Sequence, residues 1–181
     1  MTKKIVATEY VTLDGFMDEP GLWSMPFFSD EAGALKFGEL AETEALLLGR
    51  RTYEGFAKAW PTMTGTGEFG ERMNSMPKYV ASRTLSELTW NAQLIQGDVV
   101  DGIRELTKGD GGDLLLSGSA ELFNLCHQHD LIDEYRLMLF PYLLGDEGTK
   151  PLFRGGARRA LSLTGITQLP NGVVVQNYHR G

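Results

Sequence analysis

The chain has 181 residues, of which 42% are apolar and 23% charged, and these values are typical of one globular domain spanning residues 1–181. Lysine and arginine number 17 against 24 aspartate and glutamate residues, so the net charge is −7. This acidic balance argues against nucleic-acid binding and against membrane association, and no apolar run approaches the roughly 20 residues that a membrane span needs.

The first half of the chain alternates predicted strands and helices. Residues 5–11 form a predicted strand directly after two lysines, without the apolar stretch of a signal peptide, so we expect a cytoplasmic protein. A long loop over residues 13–26 follows, interrupted by glycines and prolines. Further along the chain we predict a helix over 30–44, a buried strand over 45–48 and a helix over 52–60.

The second half ends in strands alone. We predict strands over 78–82, 94–96 and 114–117, helices over 99–108 and 119–129, and C-terminal strands over 135–140, 161–169 and 173–178. Asn171-Gly172 is a strong hairpin signal between the last two. The order predicts an α/β fold with a single mixed, mostly parallel sheet, flanked by helices and completed by an antiparallel C-terminal hairpin.

Ligands of open α/β sheets collect at the carboxyl ends of strands, where helix N-termini offer free N–H groups. One such junction is the segment LLLGRRTYE, in which a buried strand ends at Gly49 and a helix follows. Arg50, Arg51 and Thr52 place two guanidinium groups and a hydroxyl there, a combination suited to phosphate. The alternative is a solvated arginine with Thr52 as a simple helix cap.

Two further junctions carry similar chemistry. Ser82, Arg83 and Thr84 follow a strand, and an arginine at such a position accommodates a 2′-phosphate. Gly118 allows close backbone approach after the strand LLLS, and Ser119 can cap the next helix and donate to a diphosphate. Alternatively, these are a surface turn and an ordinary capped helix. Together the three junctions favour a phosphorylated dinucleotide, NADPH before NADH.

Several other motifs are set aside. Residues 65–70 match G-x-G-x-x-G, but they follow a helix rather than a strand, so we predict a flexible flap instead of a dinucleotide loop. His127 and His129 are two residues apart and would face different sides of a helix, so we predict no metal site. Cys126 is the single cysteine, which excludes an internal disulfide and indicates a buried structural thiol.

The segments LLGRRTYE and SGSAEL make the chain resemble the dihydrofolate reductase-like superfamily. It is most similar to stand-alone relatives of the reductase domain at the C-terminus of the riboflavin-biosynthesis protein RibD. The similarity covers nearly the whole chain, with VTLDGFMDEP after the first strand, PKYVASRTL at the third, LLLSGSAEL at the fifth and residues 131–153 beyond them.

The resemblance implies an NADPH-dependent reductase that transfers hydride to a small heterocyclic or sugar-derived substrate, as the reductase of riboflavin biosynthesis does with a phosphoribosylamino-uracil. It also implies a homodimer. The apolar run of residues 173–175 could form the self-complementary edge strand through which two subunits pair; the alternative is that this run is buried within one subunit. The residues implied to contact the cofactor are Leu13, Gly15, Gly49, Arg50, Arg51, Thr52, Ser82, Arg83, Thr84, Gly118, Ser119, Ala120, Glu121, Leu122 and Gly145.

Substrate and catalytic residues are less constrained by the sequence. Dihydrofolate reductases bind the pterin through a carboxylate that lies four residues before a Phe on the first long helix. If Phe37 is that Phe, the carboxylate position is occupied by Gly33, which argues against folate as the substrate. Trp23 and Phe27 are candidates to stack on the substrate, although Trp23 could equally belong to the core. Asp14 is the candidate to orient or protonate the substrate, or else a turn residue. The rival functions are a non-catalytic NADPH sensor and a structural protein with an empty pocket.

Overall fold

The computed structural model describes residues 2–156 and 158–181. Eight strands form one sheet: β1 (Ile5–Thr12), β2 (Thr43–Gly49), β3 (Lys78–Ala81), β4 (Ala92–Leu94), β5 (Asp113–Leu116), β6 (Glu134–Phe140), β7 (Leu161–Gln168) and β8 (Val174–Arg180). Five helices cover it: α1 (Asp30–Glu42), α2 (Arg50–Ala59), α3 (Gly67–Ser75), α4 (Val99–Leu106) and α5 (Ala120–Gln128).

The strand order across the sheet is β4-β3-β2-β5-β1-β6-β8-β7. The strands from β4 to β6 are parallel, and β8 and β7 join antiparallel. The predicted fold class is therefore confirmed. β5, which comes fifth in the chain, lies between β2 and β1, so the turns that follow these three strands meet at one edge of the sheet.

Alternation of side chains along the strands separates two main cores. Ile5 and Ala7 of β1 pack with α5 residues such as Phe123 on one face. Val6 packs on the other face, in a cluster to which α1 contributes Leu40, together with residues of α2 and α3. Because consecutive strand residues point to opposite faces, a strand covered on both sides is apolar at nearly every position.

The C-terminal hairpin forms as predicted. Asn171 and Gly172 both have positive φ angles, 62° and 81°, as the tight turns favoured by Asn-Gly require. The alternative that residues 173–175 are buried within the subunit is the correct one, because Val173 and Val175 are 1% and 3% exposed. The edge strand on this side of the sheet is β7 instead, and β4 forms the opposite edge.

Several element boundaries differ from the prediction. α2 begins at Arg50 rather than at residue 52, because Gly49 takes the N-cap position with an extended backbone. The flap interpretation of residues 65–70 is wrong for most of the segment: α3 begins at Gly67 and buries Met73 against the second core. β4 lies at residues 92–94, two residues earlier than expected.

Candidate functional site

The turns that follow β2 and β5 are in direct contact. Gly49 N donates a hydrogen bond of 3.0 Å to Gly118 O. A Cβ on Gly49 would lie 2.2 Å from Ser119 Oγ, and one on Gly118 would lie 2.7 Å from Thr52 Oγ1. Gly118 also has a φ of +66°, which disfavours any side chain. The absence of a Cβ at both positions is therefore what lets the two turns interlock.

Two helix N-termini open at these turns. Gly49 caps α2 and Ser119 caps α5, where its hydroxyl accepts a hydrogen bond of 3.4 Å from Leu122 N. The first N–H groups of a helix have no partner within the helix, and with the helix dipole they attract anions. Arg50 lies exposed on the first turn of α2 and makes a solvent-exposed contact of 3.4 Å with Glu54. Such exposed pairs contribute little energy, so Arg50 can exchange this partner for an anion.

The remaining predicted residues of these two junctions differ in exposure. Arg51 is exposed, whereas Ala120 and Leu122 are 7% and 4% exposed and pack in the core. Their backbone atoms, rather than their side chains, are therefore what a cofactor could contact. Glu121 points to solvent and pairs with Arg154 at 2.7 Å.

The turn after β3 lies beside the β2 turn. Gly49 pairs with Ala81 in the sheet register, so the turn after β3 begins at Ser82, one residue beyond this pair. Ser82 Oγ accepts hydrogen bonds from Thr84 N at 3.2 Å and from Leu85 N at 3.1 Å, which shapes the turn. Arg83 is exposed within it. The three predicted junctions therefore stand side by side along one sheet edge.

Asp14 connects the loops that follow β1 and β6. Its carboxylate accepts hydrogen bonds from Thr12 Oγ1 at 2.6 Å, Gly145 N at 2.8 Å and Leu144 N at 3.1 Å. The hydrogen bond from Thr12, followed by those from the backbone, lowers the pKa of Asp14. A carboxylate held ionised in this way is suited to orienting a loop or a substrate rather than to donating a proton. Leu13 and Gly15 flank it, and Leu13 is 64% exposed.

The aromatic residues predicted to contact substrate lie beside this loop pair. Trp23 is 5% exposed, stacks on Tyr142 at 5.9 Å between ring centroids, and meets Phe140 edge-on at 5.3 Å. Its indole N–H donates to Asp18 O at 2.7 Å. These contacts favour the core interpretation of Trp23. Phe27 lies 6.2 Å from Phe140 and keeps part of its ring exposed.

The position of Gly33 on α1 holds no carboxylate, as the sequence indicates. The buried acid of α1 is Glu39, which pairs with Lys36 at 2.7 Å and accepts a hydrogen bond of 2.8 Å from Thr8 Oγ1. The charge of Glu39 is balanced by Lys36 within the protein. Glu39 is therefore not equivalent to an acid that would bind a pterin. Sequence reasoning did not single out this cluster, because neither residue stands in a motif.

Sequence reasoning also missed Glu9, an acid within β1 that is 5% exposed. Its Oε1 accepts a hydrogen bond of 2.9 Å from Gly118 N. Burial raises the pKa of Glu9 to about 8, while the Gly118 N–H and the charge of Lys36 act in the opposite direction. The available signal was a lone carboxylate in a strand that is otherwise apolar or carries neutral polar groups.

In the part of the chain that the structure describes, no group of three histidine, cysteine, aspartate or glutamate residues is arranged to hold a metal ion. Among the helices of residues 2–156 and 158–181, none combines the length and apolar character that crossing a membrane requires.

The fold and the row of turns define an α/β protein whose architecture is shared by two solved structures. A putative riboflavin biosynthesis protein from Shewanella sp. PV-4 superimposes with a TM-score of 0.77 at 22% identity, covering 100% of this chain and 99% of that one. A pyrimidine reductase-like protein from Corynebacterium diphtheriae gives a TM-score of 0.66 at 11% identity, covering 99% and 92%.

Residues 3–175 match the sequence model of the RibD C-terminal domain, and the chain therefore belongs to this family. This confirms the resemblance drawn from the motifs. The uncharacterized protein YyaP of Bacillus subtilis is 30% identical over 182 residues, which cover 98% of this chain and 95% of that protein.

Proposed function

We propose that the protein is an NADPH-dependent reductase acting on a small heterocyclic or sugar-derived substrate. The observation that carries the proposal is the row of three adjacent turns at the carboxyl edge of the sheet. Two of them open helix N-termini, and they present Arg50, Arg51 and Arg83 to solvent. The membership of the RibD C-terminal domain family supports the same conclusion.

The residues present fit this cofactor. Gly49 and Gly118 let the turns after β2 and β5 interlock. The N-termini of α2 and α5 therefore lie next to each other, where their N–H groups would bind a diphosphate. Arg83 with Ser82 would receive the 2′-phosphate, since a guanidinium matches phosphate geometry. When bound, NADPH supplies the hydride, and the protein contributes binding, orientation and exclusion of water.

The substrate would lie near the loops after β1 and β6. Asp14 holds these loops together through Leu144 N and Gly145 N, and Phe27 offers a partly exposed ring beside them. Gly33 and the paired Glu39 offer no free carboxylate from α1 for a pterin. These features support a flat substrate other than folate.

The proposal is tested by titrating the protein with NADPH and, separately, with NADH. Tryptophan quenching and energy transfer to the dihydronicotinamide report binding. We expect NADPH to bind roughly tenfold or more tightly than NADH, the value of a hydrogen-bonded charged pair. Arg83→Ala should abolish this preference, and Arg104→Ala, which removes an exposed arginine paired with Asp101 on α4, should retain it.

Equal, non-saturating responses to both dinucleotides would contradict the proposal. A screen of pyrimidine, pterin and carbonyl compounds then separates a reductase from a non-catalytic sensor. Consumption of NADPH with a saturable substrate indicates a reductase, and tight NADPH binding without turnover of any compound indicates a sensor.

A further inference from the structure

Glu9 is a buried carboxylic acid at the centre of the sheet. It lies on β1, which has β5 on one side and β6 on the other. Glu9 is only 5% exposed, and its Oε1 accepts a hydrogen bond of 2.9 Å from Gly118 N. A buried acid costs free energy unless its hydrogen bonds are made, so this contact is a specific feature of the turn after β5.

Gly118 joins three strands through its two backbone groups. Its N–H donates to Glu9 on β1, and its carbonyl accepts the hydrogen bond of 3.0 Å from Gly49 N at the end of β2. The following residue, Ser119, caps α5. The turn is therefore hydrogen-bonded to a side chain that is 109 residues away in the sequence.

The electrostatic surroundings of Glu9 leave it poorly able to carry a charge. Burial raises its pKa to about 8. Lys36 on α1 favours the charged form, but Lys36 itself pairs with Glu39. On α5 the facing titratable group is Cys126, whose thiol pKa is raised to about 12 by burial and by Glu9. An anion placed at the Gly118 turn would disfavour a second negative charge beneath it.

We propose that Glu9 is a positioning residue for the dinucleotide: its carboxyl group fixes the Gly118–Ser119 turn and couples cofactor binding to the uptake of a proton from solvent. This inference rests on the proposed function, since it assumes that an anionic dinucleotide occupies the turn. By linkage, a ligand that favours the protonated acid binds best where the acid is already protonated and more weakly as the pH rises above the pKa of the free protein.

The test measures the Kd of NADPH between pH 7 and pH 9.5. In this range the 2′-phosphate is fully ionised, since the second pKa of such a group is about 6. For the wild-type protein we expect a nearly constant Kd below pH 8 and a rise above it, up to about tenfold per pH unit for full uptake of one proton. Glu9→Gln keeps a hydrogen-bond acceptor and cannot titrate, so its Kd should stay flat.

Glu9→Ala removes the acceptor, and its Kd at pH 7 should rise roughly tenfold, the value of one lost hydrogen bond. The matched control is Glu44→Gln. Glu44 accepts the Gly112 N–H at 2.7 Å at the opposite end of β5, where it also pairs with Lys3. This variant should reproduce the wild-type curve.

Amide hydrogen exchange at Gly118, measured without cofactor, gives a second readout. Exchange should accelerate in Glu9→Ala and remain slow in Glu9→Gln. A wild-type pH slope in Glu9→Gln overturns the proton coupling, and wild-type affinity and exchange in Glu9→Ala overturn the positioning role. If the wild-type protein binds no dinucleotide, the proposed function fails and the coupling with it, while exchange at Gly118 still decides whether Glu9 holds the turn.

Discussion

Lys78 is buried at the first position of β3, at the end of the strand opposite the candidate site. Its side chain is fully buried, its Nζ lies 4.0 Å from the centre of the Trp90 ring, and it donates a hydrogen bond of 3.3 Å to Asn74 O. Burial, with repulsion from Arg72, lowers the pKa of Lys78 to about 8. The charged form is therefore held in the folded protein at a cost.

Because of this cost, the contribution of Lys78 to the stability of the folded protein should depend on pH. Between pH 8 and pH 10.5 the unfolded chain keeps the Lys78 proton and the folded protein releases it, so the contribution of Lys78 to the free energy of unfolding rises with pH. The penalty is present in full below pH 8, and the slope above it approaches about 1.4 kcal/mol per pH unit. Urea unfolding across this range should show the stability of the wild type rising relative to that of Lys78→Met, which carries no such penalty, so the two curves are not parallel.

The control for Lys78 is Lys108, an exposed lysine that pairs with Glu105 on the surface. Lys108→Met should follow the wild-type curve at every pH. Parallel curves for wild type and Lys78→Met would show that Lys78 does not release its proton in this range.

At the scale of elements, the junctions β2–α2 and β5–α5 behave as one unit. A Cβ on Gly49 would lie 2.9 Å from both Ser119 Cβ and Ser119 N, and a backbone atom cannot move aside as a flexible side chain can. The two turns would have to separate. Gly49 has a φ of −76°, which any residue can adopt, so a substitution tests the contact alone.

We expect Gly49→Ala to lower the free energy of unfolding by about 1–3 kcal/mol through overpacking, and to weaken NADPH binding in parallel. Gly55 is the matched control, since it lies exposed within α2 and a Cβ there would meet nothing within 4 Å. Gly55→Ala should raise stability by up to about 1 kcal/mol, because alanine is the better helix former. Urea unfolding of both variants checks the pair, and equal effects would refute the interlocked turns.

At the scale of the whole molecule, β7 ends the sheet with exposed apolar residues. Leu163 and Ile166 are 52% and 61% exposed, and an outer strand offers unpaired backbone groups to a second strand. A second copy of the chain would cover both features through a self-complementary contact. We therefore expect a homodimer that pairs along β7.

The expected dimer is checked by light scattering at several protein concentrations. Replacing Leu163 and Ile166 by lysine together should yield a folded monomer, because charge on an edge strand opposes pairing. Leu22→Lys is the control: Leu22 is 80% exposed and belongs to the short helix at Pro20–Leu22. This variant should remain dimeric, and a monomeric wild-type protein would contradict the prediction.

Local signals were sufficient to predict most elements and the residues of each turn. Buried strands such as β5 are short apolar runs, the Asn171-Gly172 pair predicts its own hairpin, and Gly118 with Ser119 predicts a turn into a helix. Boundaries were less accurate, as at Arg50, because Gly49 can act as a helix cap without an identifying side chain.

What the sequence by itself determined is the order of strands and helices and the chemistry placed after each strand, since both depend on neighbouring residues. The tertiary structure alone decided which strands are adjacent. With β5 inserted between β2 and β1, Glu9 reaches Gly118 and Gly49 reaches Ser119. These contacts join residues that are far apart in the chain. The packing of the whole sheet determines which residues meet, and the conformational preferences of neighbouring residues do not.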